Sequence, residues 1–193
     1  KKKLINHLKS HDDNFRSENK LYFSEHHLSH AASAYYPSPF KEATTLTVDG
    51  VGEWATTTIG IGRGKELKIL KELHFPNSIG LFYSAFTQYC GFRVNSGEYK
   101  LMGLAPYGNP IYENVIWDNL IENYKDGSFK LNLEYFDFVG GLQMINNKFA
   151  ELFGEPYRNE GEEISKHFCD IAASVQSVTE KILIDLATYS VEL

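Results

Sequence analysis

Cysteine is scarce in this chain of 193 residues, which contains only Cys90 and Cys169. These two residues lie too far apart in the sequence for a metal-binding cysteine motif, and reduced thiols fit better than a disulfide. Long apolar runs are also absent: none approaches the roughly 20 residues that cross a bilayer, and no segment resembles a signal peptide. We therefore expect a cytoplasmic protein with no membrane partner.

Positive charge is in the minority, with 19 lysines and arginines against 25 acidic residues and a net charge of −6. Because nucleic-acid binding depends on clustered lysine and arginine, we expect no nucleic-acid partner. Hydrophobic residues make up 42% of the chain and aromatic residues 14%, which is typical of a folded domain with a sizeable core.

Alternating and β-branched segments predict three consecutive strands that form an antiparallel meander at about residues 43–75. The first strand is ATTLTVDG, and GRGK forms the turn between the second and third strands. Apolar residues at helical spacing predict the flanking helices HLSHAASAYY, SIGLFYSAFTQYCGF with Ser78 as its N-cap, and a final helix with apolar positions from Ile164 to Leu186. The predicted fold class is therefore α/β, in the α+β arrangement.

Three shorter segments are assigned from weaker patterns: KLYFS as a buried strand, SFKLNLEYF as a strand and NVIWDNLIENY as a helix. The apolar helix that follows Ser78 and the final helix are expected to leave apolar faces uncovered. Such faces favour self-association, so a homo-oligomer is one open outcome.

Three histidines occur within five positions in EHHLSHAAS. In a helix, His26 and His30 are four residues apart and project from one face, as a pair of metal ligands requires. His27 lies about 100° round the helix and points elsewhere. A zinc-protease HExxH motif is excluded because His27 occupies the position of its glutamate. Surface or capping histidines are the alternative interpretation.

Asp49 ends the first strand of the meander and is followed by Gly50, Val51 and Gly52. One interpretation is a glycine-rich loop that cradles a phosphate while the aspartate orients a metal or a water molecule. The other is an ordinary hairpin turn, for which Asp-Gly is a common signature. Further on, Glu98 and Lys100 lie near a predicted helix N-terminus, which is either an anion site or a solvated loop.

Five segments in this order resemble the nodulation-type O-carbamoyltransferase family: HHLSHAASAYYPSPF, LTVDGVGEW, SIGLFYSAFTQYCGF, GEYKLMGLAPYG and HFCDIAASVQSVTEKIL. The resemblance runs from about Lys20 to Leu193. It implies a domain of the actin, sugar-kinase and heat-shock type ATPase superfamily, similar to the tRNA threonylcarbamoyladenosine synthase. It also implies a reaction in which carbamoyl phosphate and ATP give carbamoyl-adenylate, from which the carbamoyl group passes to a substrate hydroxyl at an iron site.

Carried over residue by residue, the resemblance makes His26, His30 and Asp49 the metal ligands, with Fe²⁺ or another divalent metal as cofactor. It also suggests neighbours of the nucleotide, which are Gly50, Gly52, Glu98, Lys100 and Gly103. ATP, carbamoyl phosphate and a small hydroxyl acceptor are the implied partners. The identity of the acceptor stays open.

The chain departs from the family in extent. Residues 1–193 are expected to be part of the amino-terminal domain, without the carboxy-terminal YrdC-like domain and without a further carboxylate ligand expected after Leu193. We therefore expect the isolated piece to be inactive. A tRNA-threonylcarbamoylation protein and a non-catalytic module that keeps the fold are the alternative functions.

Overall fold

The computed structural model describes residues 2–17 and 20–193. It combines helices and strands, which confirms the predicted α+β class. The helices are α1 (Lys2–His11), α2 (His26–Tyr35), α3 (Ile79–Tyr89), α4 (Glu98–Leu104), α5 (Glu113–Asn119), α6 (Asn147–Phe153) and α7 (Lys166–Glu192). The strands are β1 (Glu42–Val48), β2 (Ala55–Arg63), β3 (Glu66–His74), β4 (Ile121–Asn123) and β5 (Phe129–Leu131). That this is the predicted ATPase-superfamily fold stays a prediction.

Strands β1, β2 and β3 form an antiparallel sheet in that order, which confirms the predicted meander. The turn between β2 and β3 contains Gly64 with a positive φ of 60°, a conformation that glycine adopts without steric cost. Strands β4 and β5 form a separate two-stranded sheet. The end of β1 and the start of β2 are the part of the meander that carries the candidate site.

The hydrophobic core lies around α3 and α7. Phe82, Phe86 and Tyr89 of α3 are fully buried. Phe86 and Tyr89 make edge-on or tilted ring contacts with Phe149 and Phe153 of α6. Aromatic pairs in such orientations stabilise a core beyond the area that they bury. The expectation that α3 leaves an uncovered apolar face is therefore wrong, because the rest of the chain covers it. On α7, by contrast, Ile184 and Val191 are exposed.

Ser78 is the N-cap of α3, as predicted, since its hydroxyl accepts a hydrogen bond from the N–H of Leu81 at 3.0 Å. The same hydroxyl donates to the carbonyl oxygens of Asp49 and Gly50, at 3.1 and 2.6 Å. Gly80 allows this approach, because a Cβ there would meet the backbone of Asp49 and Gly50 at 2.8 Å. The core helix α3 and the end of β1 are thus joined directly.

Four of the local assignments differ from the structure. KLYFS forms no strand, and Tyr22 and Phe23 in it are 83% and 52% exposed. The helix predicted in NVIWDNLIENY ends at Asn119, because the next residues pair with β5 as strand β4. In SFKLNLEYF only Phe129–Leu131 are a strand. Ile164, assigned to the final helix, lies before its first residue.

No helix within residues 2–17 and 20–193 combines the length and apolar character needed to cross a membrane. Both cysteines are free, and Cys90 is buried, in agreement with reduced thiols.

The loop after α4 packs against the first turns of α7. The backbone N–H of Asn109 donates to Asp170 Oδ1 at 2.6 Å, and Lys166 Nζ donates to the carbonyl oxygen of Tyr107 at 3.0 Å. Gly108 lies so close to α7 that a Cβ would meet the carbonyl oxygen of Cys169 at 1.9 Å. This contact therefore requires glycine.

Two glycine-to-alanine substitutions in this region should have opposite effects. Gly108→Ala forces the loop away from the α7 backbone, and we expect it to lower the free energy of unfolding by about 3 kcal/mol. Gly103 lies in α4 with nothing within 4 Å of a Cβ, so Gly103→Ala should raise it by about 0.5–1 kcal/mol. Urea unfolding of both variants measures the difference. Equal effects would contradict the close packing at Gly108.

Candidate metal centre and adjoining groove

Helix α2 carries the histidines and packs on β1 and β2. It ends at Tyr35, two residues before Pro37, because proline cannot continue a helix. The Tyr35 ring lies against Gly62 of β2, where a Cβ would meet it at 2.5 Å, and its hydroxyl donates to the carbonyl oxygen of Lys41 at 2.9 Å. Ala31 on the same face is fully buried. These contacts place the opposite end of α2 beside the end of β1.

His26, His30 and Asp49 converge at this point. His26 Nε2 lies 2.6 Å from Asp49 Oδ2 and 3.0 Å from His30 Nε2, and His30 Nε2 lies 3.5 Å from Asp49 Oδ2. Three ligand atoms about 2.1 Å from a common ion, on one face of an octahedron, lie about 3 Å apart. The arrangement therefore fits a divalent ion held by two imidazoles and one carboxylate. Such a ligand set with open positions is typical of non-haem Fe(II).

The carboxylate of Asp49 is oriented by its own loop. Its Oδ1 accepts a hydrogen bond from the N–H of Gly50 at 2.7 Å, which leaves Oδ2 directed at the histidines. Burial raises the pKa of Asp49, but the hydrogen bonds from His26 and Gly50 and the charges of His26 and His30 outweigh burial, and the pKa is lowered. Asp49 is therefore held in the ionised form that a metal ligand needs.

The interpretation of Asp49-Gly50 as a two-residue hairpin turn is wrong. Strand β1 ends at Val48 and β2 begins at Ala55, so the connection is much longer than a tight turn. It is held by hydrogen bonds from the N–H of Asp49 to the carbonyl oxygen of Thr56 and from the N–H of Gly52 to that of Ala55, both at 2.9 Å. The longer loop gives Asp49 the room to turn towards α2.

A second histidine pair with the same spacing occurs on α1, where the rings of His7 and His11 lie 4.7 Å apart. Both residues are exposed. Within the described ranges, the only three side chains of the metal-binding types whose ligand atoms all lie within 4.8 Å of one another are His26, His30 and Asp49. The carboxylate distinguishes the pair on α2 from the pair on α1.

A groove of about 650 Å³ begins at Asp49 and runs along α3. Gly50 and Glu98 also line it, so that one metal-ligand candidate and two nucleotide candidates share a single surface. Its other lining residues come from the end of β1 and the loop after it, the first turns of α3, the loop before α4, and α7. A depression of about 750 Å³ along β4 and β5 is larger, but none of the predicted site residues lines it.

The remaining nucleotide candidates lie elsewhere. Gly52 packs against the histidines, since a Cβ there would meet the rings of His27 and His26 at 2.8 and 3.0 Å. Lys100 and Gly103 are exposed on α4 and do not line the groove. Close packing against the histidines of α2 therefore accounts for the glycine at position 52.

Sequence reasoning missed the groove residues Tyr83 and Ser84 of α3 and Thr179 of α7. The sequence pattern of both helices indicates an apolar core, and their few polar residues do not indicate a binding surface. The hydroxyl of Ser84 donates to Glu98 Oε1 at 2.8 Å, and Tyr83 donates to Gln176 at 2.8 Å. Thr179 Oγ1 is buried and has no hydrogen-bond partner within the part of the chain that the structure describes.

Glu98 is fixed by three hydrogen bonds, from the N–H of Asn95, the N–H of Gly97 and the Ser84 hydroxyl. Burial raises the pKa of Glu98, but these bonds outweigh burial and the pKa is lowered. Asn95, in the loop that this carboxylate binds, has a positive φ of 68°. Glu98 therefore shapes the wall of the groove.

The pH dependence of stability tests this role. With a folded-state pKa below the ordinary 4.5, ionised Glu98 contributes stability that is fully present above that pH. The contribution is lost as the pH falls through the lower folded-state pKa. Glu98→Gln should therefore unfold at a lower temperature near neutral pH and lose less stability than wild type between pH 5 and pH 2. In that range its unfolding should take up about one proton fewer than the unfolding of wild type. Glu113→Gln, at the start of α5, is the matched control for the loss of one carboxylate. If the stability of wild type and of Glu98→Gln falls in the same way with decreasing pH, the role of these hydrogen bonds would be contradicted.

Comparison with known proteins adds the family. An uncharacterized protein of Synechocystis sp. is 58% identical over 166 residues, which is 86% of this chain and 27% of that protein. Nodulation protein NolNO of Sinorhizobium fredii is 30% identical over 174 residues, 90% of this chain and 24% of the relative. Nodulation protein NolO of Bradyrhizobium diazoefficiens is 30% identical over 158 residues, 82% of this chain and 27% of the relative.

The chain thus spans about a quarter of the length of the curated relatives that it matches. Residues 1–192 match the family described as carbamoyltransferase N-terminus. This match extends over the meander, the histidine helix and the final helix, and it confirms the resemblance seen in the five sequence segments. The chain belongs to the carbamoyltransferase N-terminus family.

Proposed function

We propose that this chain is part of an ATP-dependent O-carbamoyltransferase and supplies its metal-binding site. Family membership supports transferase chemistry. The observation that carries the finer proposal is the convergence of His26, His30 and Asp49, together with the groove that Asp49 lines. ATP, carbamoyl phosphate and a small hydroxyl acceptor are the proposed partners, and the cytoplasm is the proposed location.

The proposed reaction has two stages. In the first, carbamoyl phosphate loses phosphate to water, and a carbamate oxygen attacks the α-phosphorus of ATP. Carbamoyl-adenylate forms and pyrophosphate leaves. In the second, the acceptor hydroxyl attacks the carbamoyl carbon, the bond to the AMP oxygen breaks, and the hydroxyl proton is released. The products are the O-carbamoylated acceptor and AMP.

The three convergent residues would hold Fe²⁺ or another divalent ion. Such an ion supplies Lewis acidity, which polarises a carbonyl group or lowers the pKa of a hydroxyl. His26 and His30 contribute neutral donors from a helix, and Asp49 contributes the negative charge that partly balances the ion. The Gly50 N–H orients the carboxylate, so that the ligand atoms need little rearrangement.

The groove beside Asp49 is the proposed nucleotide site. Ile79, Gly80 and Leu81 line it, and they form the first turn of α3, where the helix dipole favours negative charge such as phosphate. The backbone of Gly50 lines the groove at the same place, and Glu98 at the start of α4 lines it as well. Lys100 and Gly103 are proposed as more distant neighbours from the exposed side of α4. Gly52 is proposed to act on the site through the histidines that it contacts.

The direct test uses the full-length protein with ATP and carbamoyl phosphate. We expect pyrophosphate release that requires both substrates, because carbamoyl-adenylate forms from the two together. Omission of either substrate is the control. Release with ATP alone would indicate a different reaction. No release under any condition, together with no bound metal after anaerobic purification, would favour a non-catalytic module.

Asp49→Asn in the full-length protein separates a metal ligand from a structural loop residue. Asparagine keeps the shape but removes the negative charge, so iron content and carbamoyl transfer should fall by at least about tenfold. Nucleotide binding and the melting temperature should change little. Asp118→Asn, an exposed aspartate on α5, is the matched control. Wild-type iron content and transfer rate in Asp49→Asn would remove this residue from the metal site.

A further inference from the structure

We infer that His27 is a positioning residue of the proposed metal site. Its side chain holds the segments that carry His26, His30 and Asp49 in register and does not bind the ion itself. The inference rests on the proposed function.

His27 is 5% exposed and both of its ring nitrogens have partners. Nδ1 lies 2.6 Å from the hydroxyl of Thr47 on β1, and Nε2 lies 2.8 Å from the carbonyl oxygen of Ala55 on β2. The hydroxyl of Thr47 in turn lies 2.7 Å from that of Thr58 on β2. A single side chain of α2 thereby contacts both strands that flank the loop of Asp49.

The direction of these bonds follows from the partners. A carbonyl oxygen only accepts, so Nε2 carries the hydrogen that is donated to Ala55. In the neutral ring, Nδ1 then accepts from the Thr47 hydroxyl, and the Thr47 oxygen is free to accept from Thr58. Each hydrogen bond in this buried chain therefore has one defined direction. A fully satisfied buried network of this kind fixes one arrangement of the helix on the sheet.

These contacts lie close in the chain to His26 and Asp49, two of the three proposed ligands. His27 is adjacent in the chain to His26, and Thr47 precedes Asp49 by two residues. The carbonyl oxygen of Ala55 also accepts from the N–H of Gly52, and Gly52 lies against the His27 ring. The side chain of His27 therefore links helix α2, which carries the histidines, to the residues on both sides of the Asp49 loop.

His27 is poorly placed to be a fourth ligand. Its ring centre is 5.5 Å from that of His26 and 6.3 Å from that of His30, and neither of its nitrogens is directed at Asp49. Partners that orient metal ligands typically change metal affinity by about 10–100-fold when they are replaced. A histidine with a structural role alone would change stability and leave the affinity of the folded protein unaltered.

The test is Co²⁺ binding by the full-length protein, followed through the d–d absorption bands that report coordination geometry. All variants carry His11→Ala, so that the exposed pair on α1 cannot contribute. His27→Phe keeps a flat ring but loses both hydrogen bonds, and His27→Gln keeps an N–H donor for Ala55. The melting temperature of each metal-free variant is measured beside the affinity.

We expect His27→Phe to weaken Co²⁺ binding by about 10–100-fold and to change the d–d bands, with substantial recovery in His27→Gln. If His27→Phe does not fold, Thr47→Val decides, because it removes the hydroxyl with little change in volume and should also weaken binding. Wild-type affinity and bands in folded His27→Phe, or in Thr47→Val where the former does not fold, would overturn the inference. Absence of Co²⁺ binding in the parent protein would instead overturn the metal site, and with it the basis of this inference.

Discussion

The packing of α2 on the meander is the constraint on which the candidate site depends. Tyr35 lies against Gly62 at one end of the helix, and His27 binds both flanking strands at the other. With its two ends fixed, the helix has one register relative to β1. That register brings two imidazoles to within 3.5 Å of a carboxylate on a different element. Small changes at either end would separate the ligand atoms.

The Asp49 loop is held from its other side by the core. Ser78 caps α3 and donates to the carbonyl oxygens of residues 49 and 50, while Gly80 allows the two backbones to touch. Helix α3 is itself fixed by fully buried aromatic residues. The loop is therefore part of a rigid framework, which suits a site whose ligand atoms must be in place before an ion binds.

Several features were predictable because they depend on local patterns. The spacing of His26 and His30 places both on one face of any helix, and the β-branched run before Asp49 favours a strand. The N-cap at Ser78 is likewise local. The convergence of these residues on one point required the family resemblance, because no local pattern specifies how α2 docks on β1.

Other features depend on tertiary contacts and could not be predicted. KLYFS has the composition of a strand but belongs to neither sheet within the described residues, so its composition alone does not make it a strand. The roles of Gly52 and His27 follow from a contact between two segments, which a single sequence does not show. Tyr83 and Ser84 lie on a mostly apolar helix, and its sequence pattern does not show that these two residues line a groove.

The most decisive measurement is the anomalous diffraction of the full-length protein, purified without oxygen and measured across the iron absorption edge. We expect one iron peak bonded to the Nε2 atoms of His26 and His30 and to the carboxylate of Asp49. The His27 ring should lie outside the coordination sphere with its bonds to Thr47 and Ala55 intact. A protein that carries no metal at these residues, or one whose metal lies elsewhere, would contradict the assignment of a metal-dependent carbamoyltransferase site.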